Sequence, residues 1–377
     1  MKYRKLSELC EYTSDKILVS ILSRQNYIST ENMLQNRGGI CDAETLPSTF
    51  KVSSFVEDDI LISNIRPYFK KIWRAKFCGG CSNDILVMRA KQNCNPIFLY
   101  YILSGDSFFS YATHTSKGTK MPRGDKKAIM NYQVPDLSYQ AQKIIGEFLN
   151  VFDRKIELNN KLNDNLQQQA FALFEQLLIN AGDVECSVAD IAHLNPKRAL
   201  AKNQEAKCIE MSQLSTSGAF PSGWEKRPFT GGMRFSNGDT LLARITPCLE
   251  NGKAAFIDFL DTLEVAFGST EYIVLASKGE VPPEFLYCLA RYPAFSDYAV
   301  KNMNGSSGRQ RVSAETIGQF KLPRPSTNEL KRFGNAVSSL FLKMRFNSLE
   351  NICLSSLRDS LLPKLISGEL DVSELDI

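Results

Sequence analysis

Residues 58–67 read DDILISNIRP and residues 238–247 read GDTLLARITP. Both join an Asp to a run of aliphatics with one small or polar interruption and a closing Pro, 180 residues apart in a chain of 377. Upstream, NYISTENM from Asn26 parallels KCIEMSQL from Lys207 at an offset of 181. Downstream, SNDILVM from Ser82 parallels STEYIVL from Ser269, and NPIFLYYIL from Asn95 parallels PPEFLYCLA from Pro282, both at 187. SFFSYA ending at Ala112 answers AFSDYA ending at Ala299, and QVPDLS sits opposite KLPRPS, with Pro135 and Pro323 at 188. An ordered series of six matches with a slowly drifting offset marks one duplicated unit.

Within each copy the pattern changes character. The first part alternates short apolar runs with Gly, Asn, Ser and Pro, as a mixed α/β globe would. DILISNI and DILVMRA read as strands, and NPIFLYYILSGDSFFSYA reads as a helix starting after Pro96 followed by a second short helix. After Pro135 the chain becomes helical for about 40 residues, hence about 60 Å at 1.5 Å per residue. Ile145, Phe148, Phe152, Ile156, Leu162, Leu166, Ala170, Leu173 and Leu177 form one seam, interrupted at Asn159. The second copy starts at Ser326, with Glu329 at capping-box spacing, and continues through Val337, Leu340, Met344, Leu354, Leu361, Leu362 and Leu365. Gly182 and Gly368 read as stops, and Pro363 predicts a kink.

A lone helix with such a seam would expose it, so each copy's helix is the natural partner of the other. Asn159 falls on Asn347 at an offset of 188; a buried Asn pair would fix register, and exposed Asn would do nothing of the kind. The expected fold is α+β, with two mixed α/β globes and two long helices paired as an antiparallel coiled-coil spacer, related by a pseudo-twofold internal repeat. The boundaries expected are 1–137 for the first globe, 138–181 for the central helix, 182–325 for the second globe, 326–368 for the C-terminal helix and 369–377 for an acidic tail.

Composition places the chain among soluble globular proteins, with 43% hydrophobic and 23% charged residues. It shows no apolar run of membrane-spanning length and no signal-peptide core at the start, which predicts a cytoplasmic protein with no membrane partner. The ten Cys are then expected as reduced thiols; Cys78 and Cys81 have the spacing of half a zinc site, but no second pair accompanies them, so no metal site is expected.

Catalytic motifs are missing. Two His, neither in a nucleophile motif, leave little material for Ser–His or Cys–His chemistry. There is no phosphate loop and no dinucleotide fingerprint. Asn195-Pro196-Lys197-Arg198 begins like an amino-methyltransferase tetrapeptide and departs at its third position. Asp153-Arg154-Lys155 ends like a nuclease motif but reads better as the charged, solvated face of a helix. No catalytic residue is assigned.

The net charge of +4 does not announce a nucleic-acid binder, but local patches do. RPYFKKIWRAK (66–76) interleaves Arg66, Lys70 and Lys71 with Tyr68. SKGTKMPRGDKK (116–127) carries Lys117, Thr119, Lys120 and Arg123 around Gly118 and Gly124. Its counterpart KNMNGSSGRQR (301–311) carries Asn304, Ser306, Ser307, Arg309 and Arg311. Arg244 and Lys253 are further candidates in the second copy. Small residues let backbone approach phosphate, and Arg, Lys and Asn can read base edges. Each patch alone is compatible with a solvated surface; their recurrence in matching loops points to DNA.

These residues resemble the specificity subunits of type I restriction–modification systems. The resemblance rests on the duplication, on Gly118-Thr119 to Arg123 and Gly305-Ser306 to Arg309 before each helix, on VPDLSYQAQKIIGEFLNVFDRKIELNN and LPRPSTNELKRFGNAV, and on LRDSLLPKLISGEL near the end. It departs from the family at Asp136 and Tyr139, where Pro and Glu are common. It implies two target-recognition domains, each reading half of an asymmetric bipartite site on double-stranded DNA. It also implies spacer helices that set the gap and dock two methyltransferase subunits, with Ile145, Phe148, Phe152, Asn159, Leu166, Val337, Leu340, Met344, Asn347 and Leu354 as the spacer and docking positions. Motor–nuclease subunits can join in such systems. No cofactor is expected on this chain; S-adenosylmethionine, ATP and Mg²⁺ belong to the partners. The alternative is a stand-alone sequence-specific or architectural DNA-binding protein that dimerises through the long helices.

Overall fold

The computed structural model describes residues 2–306 and 308–370. Ser307 and the end of the expected acidic tail, from 371 on, lie outside the described residues. The chain divides into two compact units, Met1–Arg154 with Ser355–Ile377, and Lys155–Leu354. Both long helices, Tyr139–Asn180 and Thr327–Ile366, contribute residues to each unit.

In the first unit, a four-stranded antiparallel sheet runs in the order Cys10–Tyr12, Ile85–Ala90, Ile60–Ser63, Ile72–Arg74. A second sheet runs Lys16–Leu18, Lys51–Phe55, Gly79–Cys81, Tyr27–Ile28, its last pair parallel. The second unit repeats the first sheet and three strands of the second, whose fourth strand joins the opposite edge. Its first sheet is Ala192–Leu194, Tyr272–Ser277, Thr240–Ala243, Ala254–Phe256. Its second holds Glu225–Pro228, Glu205–Ile209, Ala266–Gly268, Met233–Phe235. Even the parallel register is copied: Tyr27 opposes Gly80 and Ile28 opposes Cys81, as Cys208 opposes Phe267 and Ile209 opposes Gly268.

The repeated ten-residue phrase now has a physical account. Asp59 and Asp239 are almost wholly buried, and their carboxylates accept the backbone N–H of Val56 (2.9 Å) and Ser236 (2.8 Å), closing the turn that feeds a central strand. Arg89 donates two 2.8 Å hydrogen bonds to Asp59, and Arg198 pairs with Asp239. A buried charge is tolerable only when paired in this way. The aliphatics that follow are buried on both faces because neighbouring strands flank them and other layers cover them.

The helices after each sheet form where the sequence places them, at Pro96–Ser104 and Asp106–His114, and at Pro283–Arg291 and Pro293–Lys301. Asn95 caps the first, accepting from the N–H groups of Ile97 and Phe98. Cys81 packs in a small apolar core, and burial pushes its thiol pKa up to about 12.

In the first unit, Ile145 and Leu149 of the central helix and Leu362 and Leu365 of the C-terminal helix join the globe's core, with Phe148 packed against it and Phe152 edge-on to Phe148. Asp153 is not on a solvated face: it accepts a 2.6 Å hydrogen bond from Tyr101 and pairs with Arg358. In the second unit, Ala170, Phe174, Leu177, Val337, Phe341 and Met344 enter the core, with Leu166 and Leu340 packed on it. Leu354 is half-buried and Leu162, expected in the seam, is exposed because the Asn cluster occupies that stretch of the helix pair. Ser326 and Glu329 form the expected capping box, with 2.8 and 2.7 Å bonds to the carboxylate. Gly182 and Gly368, both at positive φ, follow the helix ends, and the helix continues three residues past Pro363.

Candidate nucleic-acid interface

Each unit carries one exposed hairpin tied to the end of its central strand. In the first unit, Lys117 and Arg123 exchange backbone hydrogen bonds of 2.8 and 2.9 Å, closing a loop in which Gly118 takes a φ of +95°. The hairpin is anchored by Arg66 N–H to the Pro122 carbonyl (2.8 Å) and by Gly124 N–H to the Asn64 carbonyl (3.1 Å). Asn64 in turn donates to the Asp84 carbonyl at 2.8 Å. In the second unit, Asn304 and Arg311 exchange two 2.9 Å bonds, Thr246 N–H reaches the Gln310 carbonyl and Val312 N–H the Arg244 carbonyl, and Arg244 donates to the Glu271 carbonyl. The same five backbone contacts occur at equivalent positions.

This register corrects one equivalence. Arg123 corresponds to Arg311, not to Arg309, because the second loop holds one residue more, and Arg309 lies within that loop. Lys120, Thr119, Ser306 and Arg309 are exposed on the loops. Lys117 pairs at 2.6 Å with Asp125, whose carboxyl it holds below the usual range and which also caps the next helix.

Two carboxylates that the sequence reading passed over sit at the hairpin bases. Arg123 contacts Asp84 at 3.1 Å. Arg311 embraces Glu271 through Nε and Nη2, with contacts of 2.7–2.9 Å, and its Nη1 donates to the Arg309 carbonyl. Those bonds hold the Glu271 carboxyl below the usual glutamate range. Arg244 approaches the same carboxylate at 4.0 Å. The signal was visible: Asp84 and Glu271 occupy matching places in SNDILVM and STEYIVL.

The other basic candidates are drawn into the globes. Lys70 joins Arg37 on Asp106. Lys71 donates to the Thr30 carbonyl at 2.6 Å, and burial lowers its pKa. Lys253 donates to the Met211 carbonyl at 2.8 Å. Arg66 lies over Phe69, with Tyr68 exposed beside it. The hairpins therefore offer guanidinium, ammonium, hydroxyl and amide donors on rigid bases, a set suited to phosphate and base edges. No group of His, Cys, Asp and Glu suited to a metal occurs among the described residues.

Residues 1–168 match the type I restriction modification DNA specificity domain. The HindI specificity subunit of Haemophilus influenzae is 24% identical over 440 aligned positions, covering 91% of this chain and 94% of that one. Its first 168 residues thus match a type I DNA specificity domain, and over nearly its whole length the chain is similar to a type I specificity subunit. The EcoAI specificity subunit of Escherichia coli is 30% identical over 169 positions, covering 43% of this chain and 27% of its own. In fold, the crystal structure of a type I system S subunit from M. genitalium superimposes with a TM-score of 0.53 at 18% identity, over 97% of this chain and 95% of that one. Two globes and two long helices are the architecture that the internal repeat implied, and that fold is shared with the M. genitalium S subunit. Among the described residues no helix is long and apolar enough to cross a membrane.

Proposed function

We propose that this chain confers DNA sequence specificity on a type I restriction–modification complex, each globe reading one half of an asymmetric bipartite site. The single observation that supports it most is the duplicated hairpin, anchored by the same backbone bonds in both units yet carrying different side chains at its tip. Equal frames with unequal tips suit two half-sites of unequal sequence. In this reading the helix pair sets the gap and docks two methyltransferase subunits, which motor–nuclease subunits can join. The chain performs no catalysis of its own; S-adenosylmethionine, ATP and Mg²⁺ act on the partner subunits.

A map of adenine methylation across the host genome, with this gene intact and deleted, tests the proposal. Loss of one gapped bipartite motif on deletion is the expected result. An unchanged map, in cells where the methyltransferase partner is expressed and co-purifies with this chain, overturns it. Sequence-specific binding by the purified chain alone, without any methyltransferase partner, would favour the stand-alone alternative.

A further inference from the structure

We propose that Asp84 and Glu271 are positioning residues for base reading, each aiming one hairpin arginine, Arg123 and Arg311, at the DNA. The inference rests on the DNA-reading function above and names the groups that set its discrimination.

Three observations carry it. First, the pair recurs at equivalent places in both units, although the hairpins differ in length and in nearly every side chain. Second, each acid stands immediately before a buried strand, and its own carbonyl accepts the N–H of Asn64 or Arg244. The carboxylate is thus mounted on a rigid element, which is what precise aiming of a contact requires. Third, the donor inventory leaves work undone. A guanidinium has five N–H groups; at Arg311 the Glu271 carboxylate engages those of Nε and one of Nη2, and the Arg309 carbonyl takes one of Nη1. Two N–H groups, one on each terminal nitrogen, stay available on a side chain that is 41% exposed. Two terminal donors in one plane match the O6 and N7 acceptors of guanine, which a swinging arginine would meet only after losing its rotamer freedom.

The two units are not electrically alike. Asn64 stands where Arg244 stands in the second copy, so Asp84 balances one arginine while Glu271 faces two. The surplus cation in the second unit suits an added phosphate contact.

The test uses the full chain assembled with its methyltransferase partner, and a randomised duplex library whose bound fraction is sequenced. For the wild type this returns both half-sites. Glu271→Gln is expected to relax discrimination at one position of one half-site by about tenfold, within the range that a bidentate base contact commands. The other half-site and the gap should stay as they were. Glu271→Asp restores discrimination, since the first unit uses Asp at the equivalent place, and Glu271→Gln adds nothing in an Arg311→Ala background. Asp84→Asn moves the opposite half-site. Unchanged discrimination in both Glu271→Gln and Asp84→Asn overturns the inference while leaving the parent function standing. So does a loss spread evenly over both half-sites, the mark of a merely structural pair. A wild-type complex with no sequence preference sinks the parent reading and this inference together.

Discussion

Asn159 of the central helix donates to Asn351 of the C-terminal helix at 2.9 Å, and Asn347 donates to Asn163 at 2.8 Å. Since Asn347 is the repeat counterpart of Asn159 and Asn351 that of Asn163, the two contacts are one contact written twice. Asn159 and Asn347 are both buried, at 4% and 2% exposure, but each takes as partner the residue four positions after the other. They do not pair with each other. In an antiparallel pair that stagger locks the register, because a slip of one residue would strand the two buried amides.

The first prediction follows. Asn159→Ala leaves Asn351 and Glu350 short of a partner and costs about 1–3 kcal/mol of stability. Replacing all four asparagines by Leu removes the amides together, leaves Glu350 to Lys155 and solvent, and is expected to hold or raise the melting temperature. The same variant should blur the gap between half-sites, because register is no longer specified. Thermal unfolding and the methylation motif of the assembled complex read the two effects separately.

A second prediction concerns Arg358, which pairs with Asp153 beneath Tyr101 and is itself well covered. Arg358→Met removes one charge of a partly buried pair and leaves Asp153 with the Tyr101 hydroxyl. The expected loss is about 2–3 kcal/mol, below the full cost of breaking a wholly buried pair. Asp153→Asn in the same chain should recover much of it. Urea unfolding of the single and double variants gives the comparison.

The architecture was legible because its signals are periodic. The strand phrases, the helix start at Pro96, the Ser326 capping box and the helix stops at Gly182 and Gly368 act through neighbours in sequence, so reading the chain found them. The partners of charged side chains act through space and were hidden. Lys70, Lys71 and Lys253 looked like a DNA face, but only the fold brings Asp106 and the carbonyls of Thr30 and Met211 to them. Arg309 looked equivalent to Arg123 because one inserted residue in a Gly/Ser loop leaves no trace in composition. Asp84 and Glu271 were passed over because a search for basic patches does not look for the acids that aim them.

The basic residues therefore separate into two classes, and this is the third prediction. Lys120→Ala and Arg309→Ala are expected to weaken DNA binding and flatten its salt dependence, with the melting temperature unchanged. Lys71→Ala and Lys253→Ala each remove a charged hydrogen bond to a backbone carbonyl and should cost about 1–3 kcal/mol of stability. DNA titrations at several salt concentrations beside thermal melts distinguish the classes. Equal behaviour of all four variants would contradict the division.

The fourth prediction is one of pH. Arg311 depresses the folded-state pKa of Glu271 below its unfolded value. The stabilisation that this supplies is fully present above the ordinary glutamate range, and it is lost as pH falls through the depressed folded-state value. The wild type should therefore lose its advantage over Glu271→Gln on acidification and show a constant one from the neutral range upward. Melting temperatures of both proteins across that range check the sign; an advantage that grows towards acid would contradict it.

The last prediction addresses the gap. The helices change unit at Arg154 and Lys155 on one strand of the pair and at Leu354 and Ser355 on the other. An insertion of about seven residues at both places adds about two turns, hence about 10 Å, and brings the apolar face back to nearly the same side. Each hairpin and its acid keep all their contacts, which lie within 1–154 or 155–354. If the helix pair sets the spacing, the methylation motif should keep both half-sites letter for letter and widen its unspecified centre by about three base pairs, at about 3.4 Å each. An insertion into only one helix would instead put the Asp153–Arg358 pair on one side of it out of register with the Asn159–Asn351 and Asn163–Asn347 contacts on the other, and destabilise the helix pair. A motif with its original gap after the double insertion, from a complex that still methylates, would mean that something other than these helices measures the distance.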